Sequence, residues 1–131
     1  MSVKDNVQTV KRFIEAIAGG DKAKLLELAS VDLEWIVPGK NWLLAGIYHG
    51  HSGLEDLLRK ISEIEITRPS PPAFVAQGSK VIVIGAAEGR VKATNKRFAD
   101  DWVFAITVEN GRLTAIKEYI DTQALAEASQ D

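Results

Sequence analysis

Two stretches, KVIVIGAAEGRVK (residues 80–92) and DDWVFAITV (100–108), restrict the fold most, because each is apolar on both faces of an extended chain. Successive side chains of a strand point to opposite sides. Val81 and Val83 therefore face one way and Ile82 and Ile84 the other, while Trp102, Phe104 and Ile106 alternate with Val103 and Ala105. A sheet with one wet face does not need this pattern. Something must cover each side: helices on one face, and on the other a partner sheet, which predicts a homodimer.

The helices precede the sheet. In SVKDNVQTVKRFIEAIAGGD, Val3, Val7, Val10, Ile14 and Ile17 form one stripe, Ser2 and Asp5 resemble a capping box, and Gly19-Gly20 ends the helix. Asp21 can cap a second, shorter helix that buries Leu25, Leu26 and Leu28. VDLEWIV reads as a strand stopped by Pro38-Gly39, followed by an unusually apolar loop, GKNWLLAGIYHGH. A third helix is predicted from Ser52, capped with Glu55, turning Leu54, Leu57, Leu58 and Ile61 inward. TRPSPP breaks regular structure, and strands follow at about 73–78, 80–92, 96–108 and 112–121, with Asn110-Gly111 making a hairpin. The tail DTQALAEASQ reads as a short helix capped by Asp121 or Thr122. Helices first and an antiparallel meander afterwards give an α+β fold, expected as one domain over residues 1–131.

Composition narrows the function classes. A net charge of −2 with scattered lysines and arginines disfavours nucleic acid and anionic membranes as partners. The chain has no cysteine, hence no disulfide, thiolate nucleophile or zinc-thiolate site. Its first residues lack the apolar core of a signal peptide and no stretch reaches the length of a membrane span, so a cytoplasmic location is expected. His49 and His51 stand two apart with no third ligand motif nearby, so no metal is expected.

Chemistry concentrates in the closing run LTAIKEYIDTQAL. Glu118 shares a strand face with Ile116 and Ile120, an expensive place for an ion. Glu88 and Arg90 share a face with Ile82 and Ile84; if that is also the inner face of the last strand, they meet Glu118 at one end of a cavity walled by Trp35 and Trp102. Desolvation raises a carboxyl pKa toward neutrality and suits it to proton transfer, while a nearby guanidinium lowers it. For charges on strands the commoner reading is structural: a solvated Glu88–Arg90 ion pair and a Glu118 that balances Lys117 or Lys92 at a sheet edge. Asp100 and Asp101 are adjacent and point apart, so they are not expected to act together, and Asp121 reads first as a helix cap.

The order VDLEWIVPG…LAGIYHGHSGLEDLL, GRVKATNKRFADDWVFAITVENGRL and KEYIDT resembles the SnoaL-like and ketosteroid-isomerase-like branch of the nuclear transport factor two-like superfamily. The resemblance implies a conical barrel of three N-terminal helices on a strongly curved antiparallel sheet, a deep apolar pocket for a small hydrophobic molecule, and a homodimer through the outer sheet face. It implies cofactor-free acid/base chemistry of the isomerase, cyclase, dehydratase or epoxide-hydrolase type, with a non-catalytic ligand-binding or dimerisation module as the alternative. Glu118 takes the place of a pocket aspartate in limonene epoxide hydrolase, with Arg90 and Glu88 as its charged neighbours, although Glu34 and Ile36 replace that enzyme's water-holding residues. Where steroid isomerases carry their base, before a proline, this chain has Val37, and Phe13 or Ile17 stands near their helix tyrosine, which disfavours ordinary steroid isomerisation. Trp35, Trp102, Val37, Ile116, Phe13, Tyr48 and Asp121 are the expected ligand contacts.

Overall fold

The computed structural model describes residues 2–67 and 71–130. Helix α1 (Val3–Gly19) opens with the capping box of Ser2 and Asp5 and ends on Gly20 at φ +67°, a left-handed position suited to glycine. Its buried side is Val10, Phe13 and Ile14 with Asn6, Thr9 and Ala16, whereas Val3 stays exposed. Helix α2 (Lys22–Leu28) is capped by the Asp21 carboxylate on the Lys24 N–H and buries Leu25 and Leu28.

Strand β1 (Ala29–Val37) leads through an eight-residue loop into β2 (Gly46–His49), a short strand inside the segment expected to be a loop. Helix α3 (Gly50–Ile61) starts earlier than Ser52: the chain leaves β2 through Gly50 at φ +63° and enters the helix directly, with no side-chain cap. Ser52 thus lies within the first turn, and the Ser52–Glu55 spacing is coincidental. Strand β3 (Ile64–Thr67) follows, running up to the first residue of the TRPSPP break; residues 68–70 lie outside the described residues. Then come β4 (Ala73–Gln77), β5 (Lys80–Val91), β6 (Lys96–Glu109), β7 (Arg112–Tyr119) and α4 (Thr122–Ala128), close to the expected bounds. The β6–β7 turn places Asn110 and Gly111 at φ +52° and +76°, the mirror-image turn that fits strand twist.

The strands make one sheet in the order β2-β1-β7-β6-β5-β3, with β4 beside β3 along β5. Contrary to expectation the sheet is not wholly antiparallel. β1 runs parallel to β7, because the two come from opposite ends of the chain with no hairpin to set their direction, and a register shift between Ala29 and Glu34 bends β1 there. The sheet curls into a half-barrel. Its concave face, with Trp35, Val81, Val83, Ile106 and Ile116 all nearly inaccessible, packs under α1 and α3. Among the described residues no helix is long and apolar enough to cross a membrane.

Candidate functional site

Strand register decides which side chains meet. Glu118 on β7 lies opposite Phe104 on β6, and Phe104 opposite Val83 on β5, so these three share the concave face. Counting by two along β6 from Phe104 brings Trp102, Asp100 and Phe98 to the same face. At this end of the half-barrel a cavity of about 110 Å³ is walled by the three tryptophans Trp35, Trp42 and Trp102, by Phe98 and Phe104, and by aliphatic side chains from α1, α3, β3 and α4. Two polar side chains interrupt this wall, Glu118 and Asp100.

Trp35 Nε1–H donates a hydrogen bond to Glu118 Oε2 at 2.5 Å. The indole is itself held from both sides, its centroid 5.7 Å from that of Phe13 and 6.1 Å from that of Phe104. Burial pushes the Glu118 carboxyl up to about 8, the indole hydrogen bond opposing and the charge of Asp100 adding to the rise. At neutral pH Glu118 is therefore mostly the uncharged acid. Asp100, buried, accepts the Asp121 backbone N–H at 2.7 Å on Oδ1. Burial lifts its pKa as well; the Asp121 N–H lowers it, and the charges of Asp121 and Asp101 raise it further. The Asp121 carboxylate meanwhile accepts the Ala124 N–H and caps α4. One corner of chain thus ties α4, whose Leu125 lines the cavity, to a pocket acid.

The structure brings Glu118, Trp35 and Trp102 together and separates the others. Glu88 and Arg90 do share the face of Ile82 and Ile84, but that face is convex. Arg90 pairs with Glu65 at 2.8 Å and with Asn95 at 2.8 Å at the outer rim, and Glu88 is exposed, so neither meets Glu118. Val37 and Ile116 are buried in the core and do not line the cavity. Phe13 lies behind the wall, supporting Trp35. Tyr48 is pinned elsewhere, its hydroxyl donating to the Leu44 carbonyl at 2.7 Å and accepting from Lys60 at 3.3 Å. Asp121 acts as a cap and through its backbone. His51 Nε2 lies 2.9 Å from the Ala29 carbonyl, and exposed His49 faces Glu34 at 3.8 Å. Asp100 is the residue the sequence reading passed over. Its signal was there, two positions before a tryptophan already assigned to the pocket wall.

A SnoaL-like domain model matches residues 10–116. The chain belongs to the SnoaL-like family. The likeness extends to solved structures: an NTF2-like protein from Burkholderia xenovorans is 56% identical over 99% of both chains, with a TM-score of 0.95. An NTF2-like protein from Burkholderia pseudomallei is 24% identical over the whole of both chains, with a TM-score of 0.87. TerC, co-crystallised with polyporic acid, is 23% identical over 97% of this chain and 99% of its own, with a TM-score of 0.83. No curated protein sequence matches this SnoaL-like chain.

One glycine of the SnoaL-like half-barrel shapes the pocket. Gly85 on β5 lies opposite Trp102, and a Cβ there would come within 2.4 Å of the indole Cζ2 and 2.8 Å of Cε2. The ring sits close against the bare strand, its centroid 4.7 Å from that of Phe104. Gly85→Ala is expected to push the indole into the cavity and cost about 1–3 kcal/mol, as overpacking typically does. Urea denaturation measures the loss, and a shifted tryptophan emission reports the displaced ring.

Proposed function

We propose that the protein is a cofactor-independent acid/base catalyst of the isomerase, lyase or cyclase type, in which Glu118 moves a proton to or from a small apolar substrate held among the indoles. The observation that carries this reading is a carboxyl group at the base of an apolar cavity, oriented by one indole N–H and with its pKa pushed up to about 8. A group poised near neutrality gives and takes a proton with little penalty either way. Trp35 fixes one carboxyl oxygen and leaves the other to face the substrate. Asp100 supports the role by holding the proton affinity of Glu118 high. Size favours a small substrate: a dry cavity of about 150 Å³ takes benzene, and about 110 Å³ suits a group of that order or smaller rather than a fused polycycle.

The test is hydrogen–deuterium exchange in D2O, followed by proton NMR, across single-ring ketones and aldehydes and their amino-substituted counterparts. Exchange at the carbon next to the carbonyl, accelerated by the protein, is the expected result. A second reading, a binder without chemistry, is favoured by one feature. Among the described residues the wall offers no hydroxyl or cationic donor to a developing oxyanion. Ligands that shift tryptophan fluorescence yet show no accelerated exchange would select it.

A homodimer through the convex face belongs to the same proposal. Val75, Ile84 and Tyr119 are 57%, 45% and 52% exposed on that face, and Ile84 continues through Val103 to Tyr119 across paired strands. An exposed apolar patch on a sheet face suits burial against a second copy across a two-fold axis. Ile84→Glu, placing a charge at its middle, is expected to convert the dimer to a monomer in sedimentation velocity. A monomeric parent chain would refute the assembly.

A further inference from the structure

The charge pattern of the cavity points to a ligand class. All three tryptophans of the chain and two phenylalanines stand in its wall, and its polar side chains are both acids. Helices α1, α3 and α4 and strands β3 and β5 present only apolar side chains there, so no lysine, arginine or histidine on the described wall answers the two carboxyls. The acidic groups just behind Asp100, Asp101 and Asp121, deepen the negative field. We propose that this cavity is a site for a small organic cation, an ammonium or quaternary ammonium group seated among the indoles with its charge against Glu118 and Asp100.

The physical reasoning is short. Two carboxyl groups in an apolar hollow cannot both ionise without a positive charge between them. In the empty cavity that charge is a proton on Glu118. A ligand cation replaces it, gains the attraction of indole faces that an anion or a neutral molecule lacks, and sends the proton to solvent. One oxygen of each carboxyl is already engaged, Glu118 Oε2 by Trp35 and Asp100 Oδ1 by the Asp121 N–H. Each therefore has a second oxygen for the ligand. The lack of any cationic side chain on the described wall, a weakness for substrates that develop negative charge, suits a ligand that brings its own positive charge. The inference rests on the cavity being a ligand site and not on its being catalytic.

The experiment compares choline with its uncharged carbon isostere dimethylbutanol, by calorimetry and tryptophan fluorescence at constant ionic strength. Because choline is charged at every pH, any pH dependence belongs to the protein. At about pH 9 choline is expected to bind at least about tenfold more tightly than the isostere. Its affinity should fall by more than about tenfold toward pH 6, where binding must displace a proton. Well below pH 8, calorimetry in buffers of differing ionisation heat should count about one proton released per choline, falling toward zero by about pH 9. Glu118→Gln should remove most of the pH dependence and most of choline's advantage over the isostere, with Asp100 keeping the remainder, while retained isostere binding shows the variant folded; Asp100→Asn repeats the test with a smaller loss. Equal binding of choline and isostere, or a choline affinity flat with pH, overturns the cation site and leaves the pocket reading intact. Failure of both compounds to bind overturns both.

Discussion

Replacing Glu118 with Gln is expected to lower protein-accelerated exchange by about 10²–10⁴-fold while the fold survives. The amide keeps the volume of the acid and an oxygen for the Trp35 N–H, which the carboxyl accepts at 2.5 Å. What it loses is the ability to carry a proton. The loss corresponds to about 3–5 kcal/mol of barrier, and it should fall on kcat, because the apolar wall that binds the substrate is unchanged. Asp100→Asn tests the coupling between the acids. Its charge raises the proton affinity of Glu118, so its removal should shift the pH–rate profile to lower pH and cost less rate. A Glu118→Gln variant with full exchange activity would take the proton-transfer role away from this residue.

The same carboxyl is expected to make stability fall as pH rises. In the folded chain its pKa is about 8 against an ordinary 4.5. Between those values the folded state holds a proton that the unfolded chain has released. The stabilisation is complete below pH 4.5 and is lost progressively as pH climbs through 8. The span amounts to about 4 to 5 kcal/mol, a large part of the stability of a typical domain. Asp100, also raised by burial, acts in the same direction. Urea unfolding at low and at high pH measures the slope. Glu118→Gln should flatten it and leave the variant more stable than the parent in alkali, so one substitution trades activity for stability. Equal stability of the parent at both ends of the range would mean that the carboxyl is not desolvated.

Much of this arrangement was legible from residue order, and most of the failures share a cause. The capping box of Ser2 and Asp5 marked α1 because both partners are local. Glu118 stands out in the sequence because it interrupts the stripe of Ile116 and Ile120, where an ion is costly. Glu88 and Arg90 were misplaced because Val81/Val83 and Ile82/Ile84 are equally apolar, so pattern alone does not say which pair faces inward. Register says it, through Glu118 opposite Phe104 opposite Val83, and register is a long-range property. The same holds for the parallel β1–β7 pair and for β2 and β3, four-residue strands too short to display a period. Asp100 was missed for a different reason. Beside Asp101, which points away, it reads as one of two acids that do not act together; only beside Trp102, which points the same way, does it read as a pocket residue.

The most direct measurement is a carbon-13 NMR titration of the Glu118 side-chain carboxyl, assigned by its disappearance in Glu118→Gln. A midpoint near 8 is the expected result, with the signal of Asp100 responding to the same titration. A midpoint near 4.5, the value of a glutamate in water, would contradict the buried acid on which the proposed chemistry depends.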